Sequence, residues 1–170
     1  AGAGNKGRGI YYWRQGTALG SGGLQYTVID TTVYYGNSLG SACTGATLAS
    51  GDERVYMFEV GNYLVIIDPL GNKGYYITAA ADTVVVENRD GDFPPKQTPA
   101  LQLARGGAGL KSRAYVIDTD GTIWNSALED PTSWSGGDNL NAEIKVDGCV
   151  HLEKYNNELV AFGEESIEYF

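Results

Sequence analysis

One histidine, two cysteines and a scatter of carboxylates are the side chains of this chain that could do chemistry. His151 is the sole histidine, so a serine or cysteine nucleophile could draw an imidazole base from one place only. It alternates with Val150 and Leu152, which predicts a side chain on the outer face of a strand. Cys43 and Cys149 lie far apart, and with a single histidine they cannot supply a closed tetrahedral zinc site. Buried unpaired thiols are expected, with a disulfide as the alternative. Glu129-Asp130, Glu143, Glu164-Glu165 and Glu168 could in principle provide the acid and nucleophile of a glycoside hydrolase. That chemistry needs two carboxyl groups at a set separation, and many of these acids fall in turns, where solvation alone explains them.

Three glycine-rich motifs are weighed and set aside. Asp118-x-Asp120-Gly121 with Glu129 has the outline of a calcium loop. Thr122 stands where a further ligand is needed, and strands rather than helices flank the motif, so a hairpin turn is expected. Gly2-x-Gly4-x-x-Gly7 spells a dinucleotide fingerprint but has no strand before it and no helix after it. Arg105 to Ser112 resembles a phosphate loop, yet Leu110 occupies the place of the glycine that must precede the lysine. No catalytic, cofactor-binding or metal-binding residue is therefore assigned.

Composition narrows the class. Of 170 residues, 42% are apolar and 19% charged, enough for one domain with a core. The 24 glycines and 12 tyrosines favour turns and aromatic strands over helices. A net charge of −9 removes general attraction to phosphate as a binding mode. No run approaches the length of apolar residues that a membrane helix needs, and Ala1 to Arg8 contains no apolar signal core.

The elements that must position these residues read as hairpins. Strands are predicted at Ile10 to Arg14, Leu24 to Ile29, Thr32 to Tyr35, Arg54 to Val60, Tyr63 to Asp68, Tyr75 to Thr78 and Thr83 to Glu87. Further ones follow at Ala100 to Ala104, Tyr115 to Asp118, Thr122 to Ser126, Val150 to Lys154, Leu159 to Phe162 and Ser166 to Phe170. Turns are expected at Asp120-Gly121 and Asn156-Asn157, a long loop at Gly36 to Gly51, and a glycine-rich turn at Arg105 to Ser112. Residues 1–9 read as a flexible or partner-held arm, 10–170 as the domain, and 88–99, with its prolines, as an extended connector. Trp124 and Trp134 are expected in the core, with stacking on sugar or on another subunit as the alternative. Glu143, Asp147 and Glu158 are expected at strand ends, accepting hydrogen bonds from turn amides.

A repeat organises the hairpins. Ile29-Asp30, Ile67-Asp68 and Ile117-Asp118 each end an apolar run and precede a turn and an aromatic strand, at spacings of about 38 and about 50 residues. This bracket fits propeller blades, because a small twisted sheet buries its faces only by stacking radially on others. The expected fold is all-β, made of antiparallel hairpins and small sheets in a β-propeller-like array, with a sandwich as the alternative.

The blocks Leu128-Glu129-Asp130-Pro131-Thr132-Ser133-Trp134, Ala142-Glu143, Asp147, Asn157-Glu158-Leu159, Phe162-Gly163 and Ser166-Ile167-Glu168-Tyr169-Phe170 occur in that order. From about Ala114 onward the chain resembles the tail-nozzle family of short-tailed phages, the packaged-DNA stabilisation or head-completion proteins. The resemblance implies a structural tail component that forms a homo-oligomeric ring of about six copies. The ring would sit below the portal and adaptor proteins, beside tail needle, fibre or tailspike proteins. It would extend the channel and retain genomic double-stranded DNA, which passes without specific binding. The implied location is the virion tail, after assembly in the host cytoplasm, with no enzymatic role and no cofactor. Chains of the family run beyond these blocks, and Phe170 falls inside a predicted strand, so the chain is expected to be part of a larger propeller protein. A carbohydrate-binding or glycan-hydrolysing propeller is the alternative function.

Overall fold

A computed structural model describes residues 6–16, 22–36, 40–93, 104–141 and 148–170 and contains only strands, turns and irregular backbone among them. The first sheet holds β1 (Gly7–Trp13), β2 (Leu24–Ile29), β3 (Thr32–Tyr35) and β4 (Ser41–Ala42) in chain order. The second is built on β6 (Tyr56–Val60), β7 (Tyr63–Asp68), β8 (Lys73–Thr78) and β9 (Ala81–Glu87). Its outer edge takes β5 (Thr44–Gly45), which arrives from the first sheet and pairs parallel to β9. The third sheet comprises β10 (Ala104–Leu110), β11 (Arg113–Asp118), β12 (Thr122–Ala127) and β13 (Asp130–Asn141). The fourth comprises β14 (Cys149–Tyr155), β15 (Glu158–Gly163) and β16 (Ile167–Tyr169). These are four blades of a β-propeller arrangement.

Alternating side chains explain the stacking. In β2 the residues Leu24, Tyr26 and Val28 are buried, and they meet Leu64, Ile66, Tyr75 and Ile77 of the second blade. The other face of the second blade sends Phe58, Val65 and Ile67 against Ala114, Val116 and Trp134 of the third. The third blade then meets the fourth through Ile117 and Ile123 against Leu152, Leu159 and Ala161. β7 is buried along nearly its whole length because it feeds a cluster on each face. Each fully buried aliphatic side chain contributes roughly 1.5–3 kcal/mol of transfer free energy.

The Ile-Asp repeat holds: Ile29, Ile67-Asp68 and Ile117-Asp118 each fall at the end of a blade's second strand. A second repeat accompanies it. The register between first and second strands shifts between Gly7 and Gly9, between Ala104 and Gly106, and between Cys149 and His151. Arg8, Arg105 and Val150 occupy the bulged positions.

Several expectations are corrected. The strand predicted from Ile10 begins at Gly7, and Arg8 is buried, so residues 7–9 belong to the first blade and not to an arm. The predicted loop at Gly36 to Gly51 contains β4 and β5, a strap that ties the first blade to the second. Cys43 N donates to Val33 O at 2.8 Å, and Ala46 N donates to Val85 O at 2.8 Å. Arg105 to Leu110, read as a turn, is most of an inner strand. Its glycines are there for close approach: a Cβ at Gly109 would lie 2.0 Å from Glu59 O, and one at Gly106 would lie 2.3 Å from Leu152 N. Of the expected connector, residues 88–93 pack onto the third blade. Phe93 is buried edge-on to Trp134 with ring centroids 5.3 Å apart, and Trp134 N donates to Asp90 Oδ2 at 3.0 Å. The rest of the connector, residues 1–5, and all but the last residue of the strand predicted at Ala100 to Ala104 lie outside the described residues.

Candidate functional site

The first strands of the four blades, β1, β6, β10 and β14, stand around one cavity of about 820 Å³. Ile10 and Tyr11 come from β1, Met57 and Glu59 from β6, Gly107 and Gly109 from β10, and His151 and Glu153 from β14. Arg54 and Lys154 add positive charge at its wall. The lining is thus of mixed sign, and its polar groups pair with one another. His151 Nε2 lies 3.6 Å from Glu153 Oε2. The His151 ring is 5.5 Å from that of Tyr56 and 6.2 Å from that of Phe162. His151 lies off the face of the buried Leu152, as alternation predicts, and that outer face of β14 is here a half-buried wall of the cavity. Burial raises the Tyr11 hydroxyl pKa, and the charges of Glu59 and Glu153 raise it further. Burial also raises that of Tyr56, against the opposing effect of Arg105 and Arg54.

Between the first two blades lies a buried ion pair. Arg8 Nη2 donates to Asp68 Oδ1 at 2.5 Å, and both side chains are 0% exposed. The remaining guanidinium donors reach Glu53 O at 2.7 Å, Asp30 O at 3.0 Å and Ala49 O at 2.7 Å, while Asp68 Oδ2 accepts from Ala49 N at 2.9 Å. This satisfies the charge and the strap together. Sequence reading missed the pair, although a signal existed: Gly7-Arg8-Gly9 and Ala104-Arg105-Gly106 repeat a small residue, arginine and glycine at matching positions.

The acidic turn between β11 and β12 is a structural unit. Asp118 is buried and accepts hydrogen bonds from Thr122 N at 3.1 Å, Asp120 N at 3.2 Å and Trp124 Nε1 at 3.0 Å. Burial, then a hydrogen bond with Asp120, pushes its pKa up to about 7, while the same hydrogen bond holds Asp120 low. Glu129 sits at a different turn, between β12 and β13, with φ of 61°. Among the described residues no three His, Cys, Asp or Glu side chains come together as a metal group.

The other candidates are dispersed. Glu164 and Glu165 are exposed beyond β15, Glu168 is buried on β16, and Asp130 accepts from Thr132 in its own strand. Glu143 and Asp147 lie outside the described residues. Trp134 is buried and Trp124 half-buried, as expected of core residues. Cys43 and Cys149 are both thiols and not a disulfide, and burial, aided by Asp82, pushes the Cys43 thiol up to about 12, which keeps it protonated and unreactive.

No curated protein matched the chain. Solved structures similar to it are propellers, at identities that speak for fold alone. The computationally designed Ika4 protein aligns at TM-score 0.55 and 10% identity, over 86% of this chain and 84% of that one. U3-55K aligns at TM-score 0.59 and 12% identity, over 100% of this chain and 53% of that one. The WD40 repeats of RRP9 align at TM-score 0.59 and 13% identity, over 100% of this chain and 52% of that one. The family described as bacteriophage P22 Gp10, beta-propeller, matches residues 2–170. With four blades in place and that match running over nearly every residue, the chain belongs to the P22 Gp10 family of phage stabilisation and head-completion proteins.

Proposed function

We propose that this chain is an architectural part of a phage tail, a nozzle-type ring component seated below the portal and adaptor that extends the DNA channel and retains the packaged genome. The observation that carries the reading is family membership over residues 2–170. The physical chemistry agrees with it. A net charge of −9 gives DNA no long-range attraction to the protein, so a channel built from many copies would let the genome leave without gripping it. The copies would form a homo-oligomeric ring, with needle, fibre or tailspike proteins as neighbours. The role is structural and not enzymatic.

The glycan-binding alternative requires an exposed tryptophan beside two carboxylates. Trp13 and Trp134 are buried and Trp124 is half-buried, so no observation favours that reading.

The test is retention. DNA-filled heads assembled with and without the protein are treated with nuclease, and the protected genome is measured. Heads lacking it should lose their DNA. Equal protection and equal infectivity in both preparations would refute the reading.

A further inference from the structure

The cavity at the axis is polarised along its length. Arg54, just before β6, and Glu59, near its far end, are both exposed and both line the cavity. Among the described residues neither enters an ion pair. The neighbouring inner strands fix which residues share each end. Val55 N donates to Arg8 O at 3.0 Å beside Arg54, while Gly109 backs onto Glu59 O at the other end. Beside Arg54 the remaining charges pair off, Lys6 with Asp52 and Arg105 with Glu53, which leaves Arg54 in excess. Around Tyr11, at the other end, stand Glu59 and Glu153, against which the wall offers Lys154. Two tyrosines register the difference. Burial raises both hydroxyl pKa values, but Glu59 and Glu153 raise Tyr11 further, whereas Arg105 and Arg54 oppose the rise at Tyr56. Between the ends, β1 and β6 present Tyr11, Tyr56 and Met57, and β10 presents only Gly107, Ala108 and Gly109. The middle of the cavity is therefore apolar, and nothing larger than a methyl narrows it from β10.

We propose that this cavity takes an extended peptide segment of a partner protein, about five residues long, with a carboxylate at Arg54 and a lysine or arginine at Glu59. Length decides for a peptide. The two charges lie up to roughly 16 Å apart along the strand, and a free phosphate or a single amino acid reaches only one of them. The volume of about 820 Å³ falls within the range of pockets that enclose whole ligands, roughly 300–1,000 Å³. Charge decides against nucleic acid, because Glu59 and Glu153 would repel a phosphate chain laid along the axis. A peptide brings both signs, and apolar side chains between them suit Tyr11, Tyr56 and Met57. Inner strands of further blades would add wall to this axis and leave these four in place. The inference is independent of the tail reading.

The experiment presents the immobilised protein with a synthetic library of capped peptides of about six residues, and the enriched sequences are remade with a fluorescent label for anisotropy titration. The wild type should select peptides with an acidic residue at one end and a basic residue at the other. Arg54→Gln and Glu59→Gln should each weaken the selected peptides by about 3- to 10-fold. The double exchange Arg54→Glu with Glu59→Lys should select the reversed order of charges, which a merely structural role for either side chain would not produce. Both positions are exposed, so the fold tolerates these changes, and circular dichroism should show the sheet signal of the wild type in each variant. No enrichment, enrichment without charge preference, or the same charge order selected by wild type and double exchange would each overturn the proposal. Full displacement of a selected peptide by sodium phosphate or sodium acetate at the peptide's own concentration would overturn it too, in favour of a small-anion site.

Discussion

Replacing Arg8 by methionine tests whether the junction between the first two blades is held as described. Methionine keeps much of the side chain's length but removes the charge and every donor. Asp68 would then be a fully buried carboxyl group stripped of its cation, with Ala49 N as its remaining hydrogen-bond donor of those described. Breaking one half of a buried, hydrogen-bonded ion pair costs about 3–5 kcal/mol. The carbonyls of Glu53, Asp30 and Ala49 lose their donor as well, which places the expectation at the upper end of that range. Native domains are stable by about 5–15 kcal/mol, so a large part of the total is at stake. For a chain of this size each kcal/mol moves Tm by about 2–4 °C, giving an expected fall of roughly 10–20 °C. Guanidinium denaturation followed by circular dichroism gives the free energy directly. The double variant Arg8→Met with Asp68→Leu should recover part of the loss, because no charge remains stranded. A loss below about 1 kcal/mol for Arg8→Met would show that the pair behaves as a surface salt bridge, and the account of the junction would fail.

Three further outcomes follow from the geometry. Gly109→Val should destabilise by about 1–3 kcal/mol or more, because a Cβ there meets Glu59 O at 2.0 Å and neither inner strand can yield without moving its blade; a denaturation midpoint equal to the wild type would contradict the close approach. Asp118 carries a pKa raised to about 7, so between its unfolded value near 4 and that pH the folded state holds a proton the unfolded chain has released. Stability should therefore fall as pH rises from about 4 to 7, and Asp118→Asn should flatten that slope in denaturation measured at several pH values. Asp120, held low, acts in the opposite sense, contributing stability above its unfolded pKa that is lost in acid below it. Trp13 is fully buried with its Nε1 hydrogen unpaired. Trp13→Phe removes that unmet donor, worth about 1–3 kcal/mol, against lost packing of similar size, so the net change in denaturation free energy should stay well below the loss expected of Trp13→Ala.

The hairpins were legible because their determinants are local. Leu24–Ile29, Thr32–Tyr35 and Tyr63–Asp68 alternate or run apolar between turn residues, and they stand where the sequence places them. The Ile-Asp recurrence was legible for the same reason, since each blade repeats one short stretch of chain. β10 was not, because Arg105 to Leu110 has the glycine content of a turn, and only its neighbours, Glu59 and Leu152 among them, demand residues without side chains there. His151 alternates with the buried Leu152 as the sequence reads, but the linear pattern carries no trace of the cavity that this outer face of β14 borders together with the inner strands of the other blades.

The sequence alone determined the class of fold, the blade-sized repeat and the family, all of which rest on composition, turn chemistry and ordered blocks of residues. Tertiary structure decided which strands line the axis and which arginine meets which aspartate across 60 residues of chain. Those facts depend on distances between segments remote in sequence, where burial and close contact choose among partners that the linear pattern leaves equivalent.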